Sequence, residues 1–253
     1  MPDYIWIVSP PGYPHSECFA EVAESLSEKL RIPIARSCTG PNALILAPHL
    51  LPRMQTGGIL YNFEQIVVDS PIMTGDYLHL LRTHPVWDYS QSNIRALAAL
   101  GITAAYAPVT YTPCLTRIQP APVHDVDVLF YGSLNERRRA VLSQCRDRGL
   151  KVQVLFGVYG TQRDAWIARS KIVLNVHFYS SRLFEIVRMS YLLANQVPVV
   201  CETGIDDQFL EGICFAEYQE LADACQRLVS DEGARRQLAQ QGFRLFRATQ
   251  DET

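Results

Sequence analysis

The run Val126-Asp127-Val128-Leu129-Phe130-Tyr131-Gly132-Ser133-Leu134-Asn135-Glu136-Arg137-Arg138-Arg139 decides the fold class. A strand's length of apolar residues stops at Gly132-Ser133, and an Arg-rich amphipathic segment starts at once. Further along, Lys171-Ile172-Val173-Leu174-Asn175-Val176 leads into His177, then Phe184-Glu185-Ile186-Val187-Arg188 reads as helix. Val197-Pro198-Val199-Val200 reads as another buried strand. Strands that end in small or polar residues and run into helices place a site at the carboxyl edge of a parallel sheet.

Outward from this run the alternation continues. Strands 126–131, 151–156, 171–176 and 197–201 interleave with helices 136–148, 161–169 and 182–195. A short strand at Ile213 to Phe215 precedes helices at about 218–229 and 231–247. In the first half, strands are expected at Tyr4 to Val8, Ile32 to Ala35, Ala43 to Leu46, Gly58 to Tyr61 and Thr103 to Ala107. Ser16 is expected to cap a helix whose Phe19, Val22, Ala23, Leu26 and Leu30 follow the 3.6 period. Ser92 to Leu100 reads as a helix closed by Gly101. Between them Pro108, Pro113, Pro120 and Pro122 make a stiff connector. The expected organisation is a lobe at 1–108, a linker at 109–125 and a lobe at 126–253. Strand-helix alternation on both sides predicts an α/β chain of two Rossmann-like lobes facing a cleft.

Composition narrows the class. Of 253 residues, 48% are hydrophobic and 19% charged, a balance that supports a folded core. The net charge of −3 offers no basic field for nucleic acid, although a local basic strip and a peripheral membrane contact stay open. The seven cysteines are scattered without a CxxC pair, which fits reduced thiols in a cytoplasm and no metal cluster. The first residues enter a strand pattern without a basic leader, and no apolar run approaches the ~20 residues that span a bilayer.

Several residues carry candidate chemistry. Gly132-Ser133 lets backbone approach a ligand while the following helix aims free N–H groups at it, or it is simply a turn. Arg137 and Arg138 in a first helical turn oppose the macrodipole, so an anion is expected to offset them. The alternative is a solvated basic face with one Arg paired to Glu136 or Asp147. Glu185 and Arg188, three apart, form either an ion pair or a site in which the carboxylate takes a ribose diol and Arg188 orients it or reaches a phosphate. His177 is either structural or a donor to a sugar or phosphate oxygen. Two polar-aromatic clusters in the first half suit a hydroxyl acceptor: Tyr61-Asn62-Phe63-Glu64-Gln65 and Trp87-Asp88-Tyr89-Ser90. Asp88 is the first candidate for a base, Glu64 the second, and helix capping by Asp88 or Ser90 is the plain alternative.

Together these segments resemble bacterial glycosyltransferases of the GT-B fold, the group-1-like superfamily. The likeness rests on Asp127 to Ser133 with Asn135, Arg137 and Arg138, on Leu155-Phe156-Gly157-Val158-Tyr159-Gly160, and on Ile172 to His177. Phe184-Glu185-x-x-Arg188 and Leu192-Leu193-Ala194-Asn195-x-Val197-Pro198-Val199-Val200-x-Glu202 extend it. The resemblance implies a C-terminal lobe that binds a nucleotide-sugar, with a UDP-sugar the expected donor, and a short N-terminal lobe that meets the acceptor. Gly132, Ser133, Arg137 and Arg138 would hold the diphosphate, with Asn135 in the same motif. The loop of Gly157, Val158 and Tyr159 up to Gly160 would border the base, and Glu185 would take the ribose. One departure is that Tyr191 stands where the family's second glutamate is expected, which leaves retention or inversion open. Asp125-Val126-Asp127 spells DxD at the wrong end of a strand, so metal-independent transfer is expected and no cofactor. A non-catalytic nucleotide-sugar-binding protein and a transferase acting on modified DNA bases are the alternatives. Oligomeric state stays open.

Overall fold

The computed structural model describes residues 1–38, 40–51, 57–67, 70 and 72–251. The chain divides into two compact units, Met1–Cys114 and Leu115–Thr253. Each is built on one fully parallel sheet among the described residues, which is what strand-helix alternation dictates.

The first unit orders its strands β2-β1-β3-β4-β5-β6: β1 Tyr4–Ile7, β2 Ile34–Ala35, β3 Ala43–Leu46, β4 Gly58–Asn62, β5 Val86–Asp88 and β6 Ala104–Tyr106. Central β3 is buried along its whole length, as a strand covered on both faces must be. Helices α1 (Ala20–Leu30), α2 (Gly75–Thr83) and α3 (Gln91–Ala99) connect the strands. Ser16 is not a helix cap. It lies in a 3-10 turn, Pro14–Phe19, and its hydroxyl donates to Ser9 Oγ at 2.8 Å. Helix α2 and strand β5 were missed by periodicity, although Thr74 accepts from the Tyr77 amide and Tyr77, Leu80 and Leu81 share a buried face.

The second unit orders its strands β11-β10-β9-β7-β8: β7 Val126–Tyr131, β8 Val152–Leu155, β9 Ser170–Asn175, β10 Val199–Glu202 and β11 Cys214–Ala216. Helices α4 (Glu136–Asp147), α5 (Gly160–Ala168), α6 (Ile186–Ala194), α7 (Leu221–Ser230) and α8 (Glu232–Arg247) complete it. Its core joins Val128 and Phe130, Ile172, Leu174 and Val200 to Val141, Leu142, Leu221 and Cys225. The expected helix 182–195 is shorter at its start, because Arg182 is left-handed (φ 49°) and Leu183 bridges Ile205 in parallel.

Pro108 to Pro122 is no free spacer. Thr110 accepts from Ser25 and Lys29, and Thr112 donates to Ser25, within the first unit. In the second unit Asn195 accepts from the amides of Arg117 and Ile118, both at 2.8 Å, and donates to the Leu115 carbonyl. Side chains thus clamp each end of the segment into its own unit.

Candidate functional site

In the second sheet the strand order reverses between β7 and β9, the place where open α/β sheets leave a crevice beyond the strand ends. The residues leaving β7 and β9 meet there. Gly132 has φ 133°, and a Cβ on it would come within 3.1 Å of Arg188 Nη2 and 3.5 Å of Arg138 Nη1. Two guanidiniums therefore lie over a bare stretch of backbone.

Arg138 is held from all sides. Its side chain is 4% exposed and donates to the Val176 carbonyl at 2.7 Å and the Ser133 carbonyl at 2.9 Å. Its remaining nitrogen pairs with Glu185 Oε1 at 3.2 Å. Burial pulls the guanidinium down to about 10, and the charge of Glu185 opposes that fall. Asn135 caps α4 by accepting from the Arg138 amide, and its Nδ2 donates to the Phe178 carbonyl. Arg188 pairs with Glu185 Oε2 at 3.3 Å, donates to Asn175 Oδ1 at 2.9 Å, and sits 4.7 Å from the centre of the Tyr131 ring. Its Nε is buried without a hydrogen-bond partner. Glu185, the residue before α6 rather than one inside it, thus has one oxygen on each guanidinium.

Arg137 is engaged differently. It makes a two-point pair with Glu202, stacks 4.1 Å from the Tyr218 ring centre, and reaches the His177 carbonyl at 3.2 Å. The macrodipole cost of two arginines in the first turn is therefore offset inside the fold, by Glu202 and Glu185 rather than by Glu136 or Asp147. Glu202 is fully buried; burial raises its carboxyl, but Arg137 and the His177 amide outweigh this and hold it below the usual value.

His177, a candidate catalytic residue, is buried. Its ring has no exposed surface, and Nε2 lies 3.0 Å from the Glu202 carbonyl oxygen. Burial lowers its pKa, and Nδ1 faces Glu185 Oε1 at 3.9 Å without a hydrogen bond. Gly157 and Gly160 both have positive φ (68° and 54°), so Val158 and Tyr159 ride a tight loop after β8, the neighbour of β7.

The first unit holds a second polar assembly. Asp88, the first candidate for a base, lies at the end of β5 and is fully buried. Ser90, not Asp88, caps α3. Asp88 accepts from the Ser90 amide at 2.8 Å, from Asn62 Nδ2 at 2.6 Å and from Asn93 Nδ2 at 3.1 Å. Asn62 and Asn93 both donate to the Glu64 carbonyl at 2.9 Å, and the Glu64 amide donates to Asn62 Oδ1. Glu64 keeps 21% of its side chain exposed, with Oε1 3.5 Å from His49 Nδ1. Burial lifts its carboxyl to about 7 and pushes His49 down to about 4. His49, Asn62, Asn93, Asn175 and Glu202 received no role from sequence. The placement of Asn62, Asn175 and Glu202 at strand ends was the signal available.

Known structures share this architecture. HepE of Anabaena, solved with UDP and glucose, superposes with a TM-score of 0.63 over 99% of this chain and 95% of its own, at 12% identity. WaaG, a glycosyltransferase of lipopolysaccharide biosynthesis, gives 0.63 over 98% and 96% at 8% identity. The chain has the GT-B fold. AviGT4, a glycosyltransferase of avilamycin A biosynthesis, adds a third GT-B likeness, with TM-score 0.55 and 13% identity over 97% and 93% of the two chains. No family model matches the sequence. Sequence relatives are viral rather than bacterial. The uncharacterized protein L140 of Acanthamoeba polyphaga mimivirus is 27% identical over 68% of this chain and 59% of its own length. The uncharacterized protein L138 of the same virus is 33% identical over 38% and 12%. The chain therefore matches only part of each of these curated relatives.

Within the GT-B lobe, Tyr191 at the expected second-glutamate position donates to Asp164 Oδ2 at 2.7 Å and accepts from Arg117 at 2.9 Å. At the amino end of β7, Asp125 pairs with Arg169 and Asp127 with Lys171 at 2.7 Å. No described helix is long and apolar enough to cross a membrane.

Proposed function

We propose that this GT-B chain is a glycosyltransferase that takes a sugar from a UDP-sugar, bound at the carboxyl edge of the second sheet, to a hydroxyl acceptor. The observation that carries the reading is the clasp of Arg138, Glu185 and Arg188 over the bare Gly132 backbone at the switch point of the sheet. HepE, which shares the fold, was solved with UDP and with UDP-glucose. A diphosphate entering the clasp replaces Glu185 as the anion on the two guanidiniums, and the released carboxylate accepts from the ribose diol. The charge that builds on the departing diphosphate is met by Arg188, Arg138 and the amides after Gly132, with no metal ion required. The loop from Gly157 to Tyr159 borders the base. Cytoplasmic placement fits seven cysteines held as thiols rather than disulfides.

One observation favours a binding protein without turnover: Tyr191 is tied to Asp164 and Arg117 where the superfamily has a second glutamate. UDP-sugar incubated without an acceptor separates the two. The expected result is slow release of UDP and free sugar, reduced ~10²–10³-fold in Arg188→Ala, the range for loss of one charge-stabilising donor. Tight UDP binding with no sugar release from any UDP-sugar would establish the binding protein instead.

A further inference from the structure

We propose that Asn175 is a positioning residue for the nucleotide site of the second unit. It grips one arm of the Arg188 guanidinium, so that the remaining edge, Nε–H and Nη2–H, is left as a two-pronged holder for a phosphate. The proposal rests on the UDP-sugar reading of that site. Asn175 ends β9 and is fully buried. Strand pairing uses only backbone, and an apolar residue would serve the sheet as well, as Ile172, Val173 and Leu174 do. A buried amide is costly unless its polar atoms are used. Its Nδ2 donates to Cys201 Sγ at 3.5 Å, a weak acceptor on the neighbouring strand β10. Its Oδ1 has the stronger partner, accepting from Arg188 Nη1 at 2.9 Å. What the amide contributes here is therefore the oxygen it offers to Arg188.

The guanidinium is planar and presents its N–H donors in a fixed fork, so it takes an oxoanion bidentately along one edge. Nε–H and the adjacent Nη2–H form such an edge. On Arg188, Nη2 pairs with Glu185 Oε2 at 3.3 Å and lies 3.1 Å from where a Cβ on Gly132 would stand. Nε is buried without a hydrogen-bond partner. An unmet buried N–H is costly, and here it stands beside a donor held by a single carboxylate oxygen. Two oxygens of one phosphate would satisfy both prongs. Asn175 takes Nη1, the arm outside this edge, and the Tyr131 ring centre lies 4.7 Å from the guanidinium carbon.

The chemistry of the gripping residue matters as much as its place. An aspartate would fix the same arm, but in a low-dielectric interior its charge would cancel that of Arg188 and compete with the phosphate. A neutral amide orients the cation and leaves its charge for the ligand. When a diphosphate displaces Glu185, Asn175 is the hydrogen-bond partner that stays. Arg188 is thus ordered before the ligand arrives, which lowers the cost of binding.

The test uses the full chain and UDP, with two readouts. The first is a double-mutant cycle measured by calorimetric titration. Asn175→Leu keeps the bulk and removes the acceptor, and should weaken UDP binding roughly tenfold or more, the range for a hydrogen bond to a charged group. In an Arg188→Ala background the same change should cost no further affinity, because the arm it grips is gone. A merely structural role for Asn175 predicts equal losses in both backgrounds. The second readout needs no Asn175 variant and so decides the matter even where Asn175→Leu fails to fold. In nitrogen-15 spectra the Arg188 Nε–H signal, assigned by its absence in Arg188→Lys, should move downfield as saturating UDP gives it a phosphate acceptor. An Nε–H signal that UDP leaves unmoved, wild-type affinity in Asn175→Leu, or equal losses in the two backgrounds overturns the positioning role and leaves the UDP site standing. Wild-type protein that binds no UDP overturns the nucleotide reading itself.

Discussion

Arg137→Ala should lower the stability of the second unit by about 3–5 kcal/mol at neutral pH, the cost of stripping one partner from a buried ion pair. The size follows from asymmetry. Arg137 keeps 30% of its side chain exposed, whereas Glu202 has none, so the deletion strands the buried member. Among the described residues the His177 amide, 3.0 Å away, is the hydrogen-bond donor that would still support the carboxylate. The sign of the pH dependence checks the cause. In the wild type the Glu202 pKa is depressed, so its contribution is present above the unfolded value and lost as pH falls. Without Arg137, burial dominates and the native state takes up a proton, so the deficit of the variant should shrink on acidification. Chemical denaturation of both proteins at several pH values measures this. A deficit independent of pH would place the cost elsewhere.

Gly204→Ala should be comparably harmful. A Cβ there would come within 2.2 Å of the Arg182 carbonyl oxygen and 2.7 Å of His177 Nε2. The first is backbone and cannot rotate away. Arg182 also accepts from the Ile205 amide at 2.8 Å, in the bridge that joins the loop before α6 to the loop after β10. Opening that bridge moves Glu185 and loosens the clasp. The expected loss is roughly 3 kcal/mol, the upper part of the range for overpacking, together with weaker nucleotide binding. Gly75→Ala, at the start of α2 with nothing within 4 Å of the new methyl, is the control and should change stability by less than about 0.5 kcal/mol. Equal stabilities for the two variants would contradict the packing argument.

Both sites were legible in part, and the limits have physical causes. Strand β7 was read to the residue because its apolar run and Gly132-Ser133 are local signals. Asn135 and Arg138 fell in the site for the same reason. Helix α2 carries local signals, the Thr74 cap and Tyr77, Leu80 and Leu81 at i, i+3, i+4, but at nine residues it is too short for the period to repeat. The full burial of Asp88 was not legible, because it comes from the pairing of β5 between β4 and β6, and those strands are distant in sequence. The partners of Arg137 and Arg138, Glu202 and Glu185, lie 65 and 47 residues away, and no local pattern carries contacts of that separation. Glu64 ranks second in sequence because Asp88 stands between two aromatic rings, and the nearness of His49 to Glu64 is not local, since His49 comes from a different strand end.

The central claim is that the second unit is a nucleoside diphosphate site. Calorimetric titration of UDP into the full chain and into Arg188→Ala, with folding of both checked by circular dichroism, tests that directly. One saturable site is predicted, weakened at least tenfold in the variant, equivalent to about 1.4 kcal/mol, and weaker for 2′-deoxy-UDP because Glu185 loses half of its diol. No binding of UDP, or binding that neither Arg188→Ala nor the missing 2′-hydroxyl alters, would contradict it.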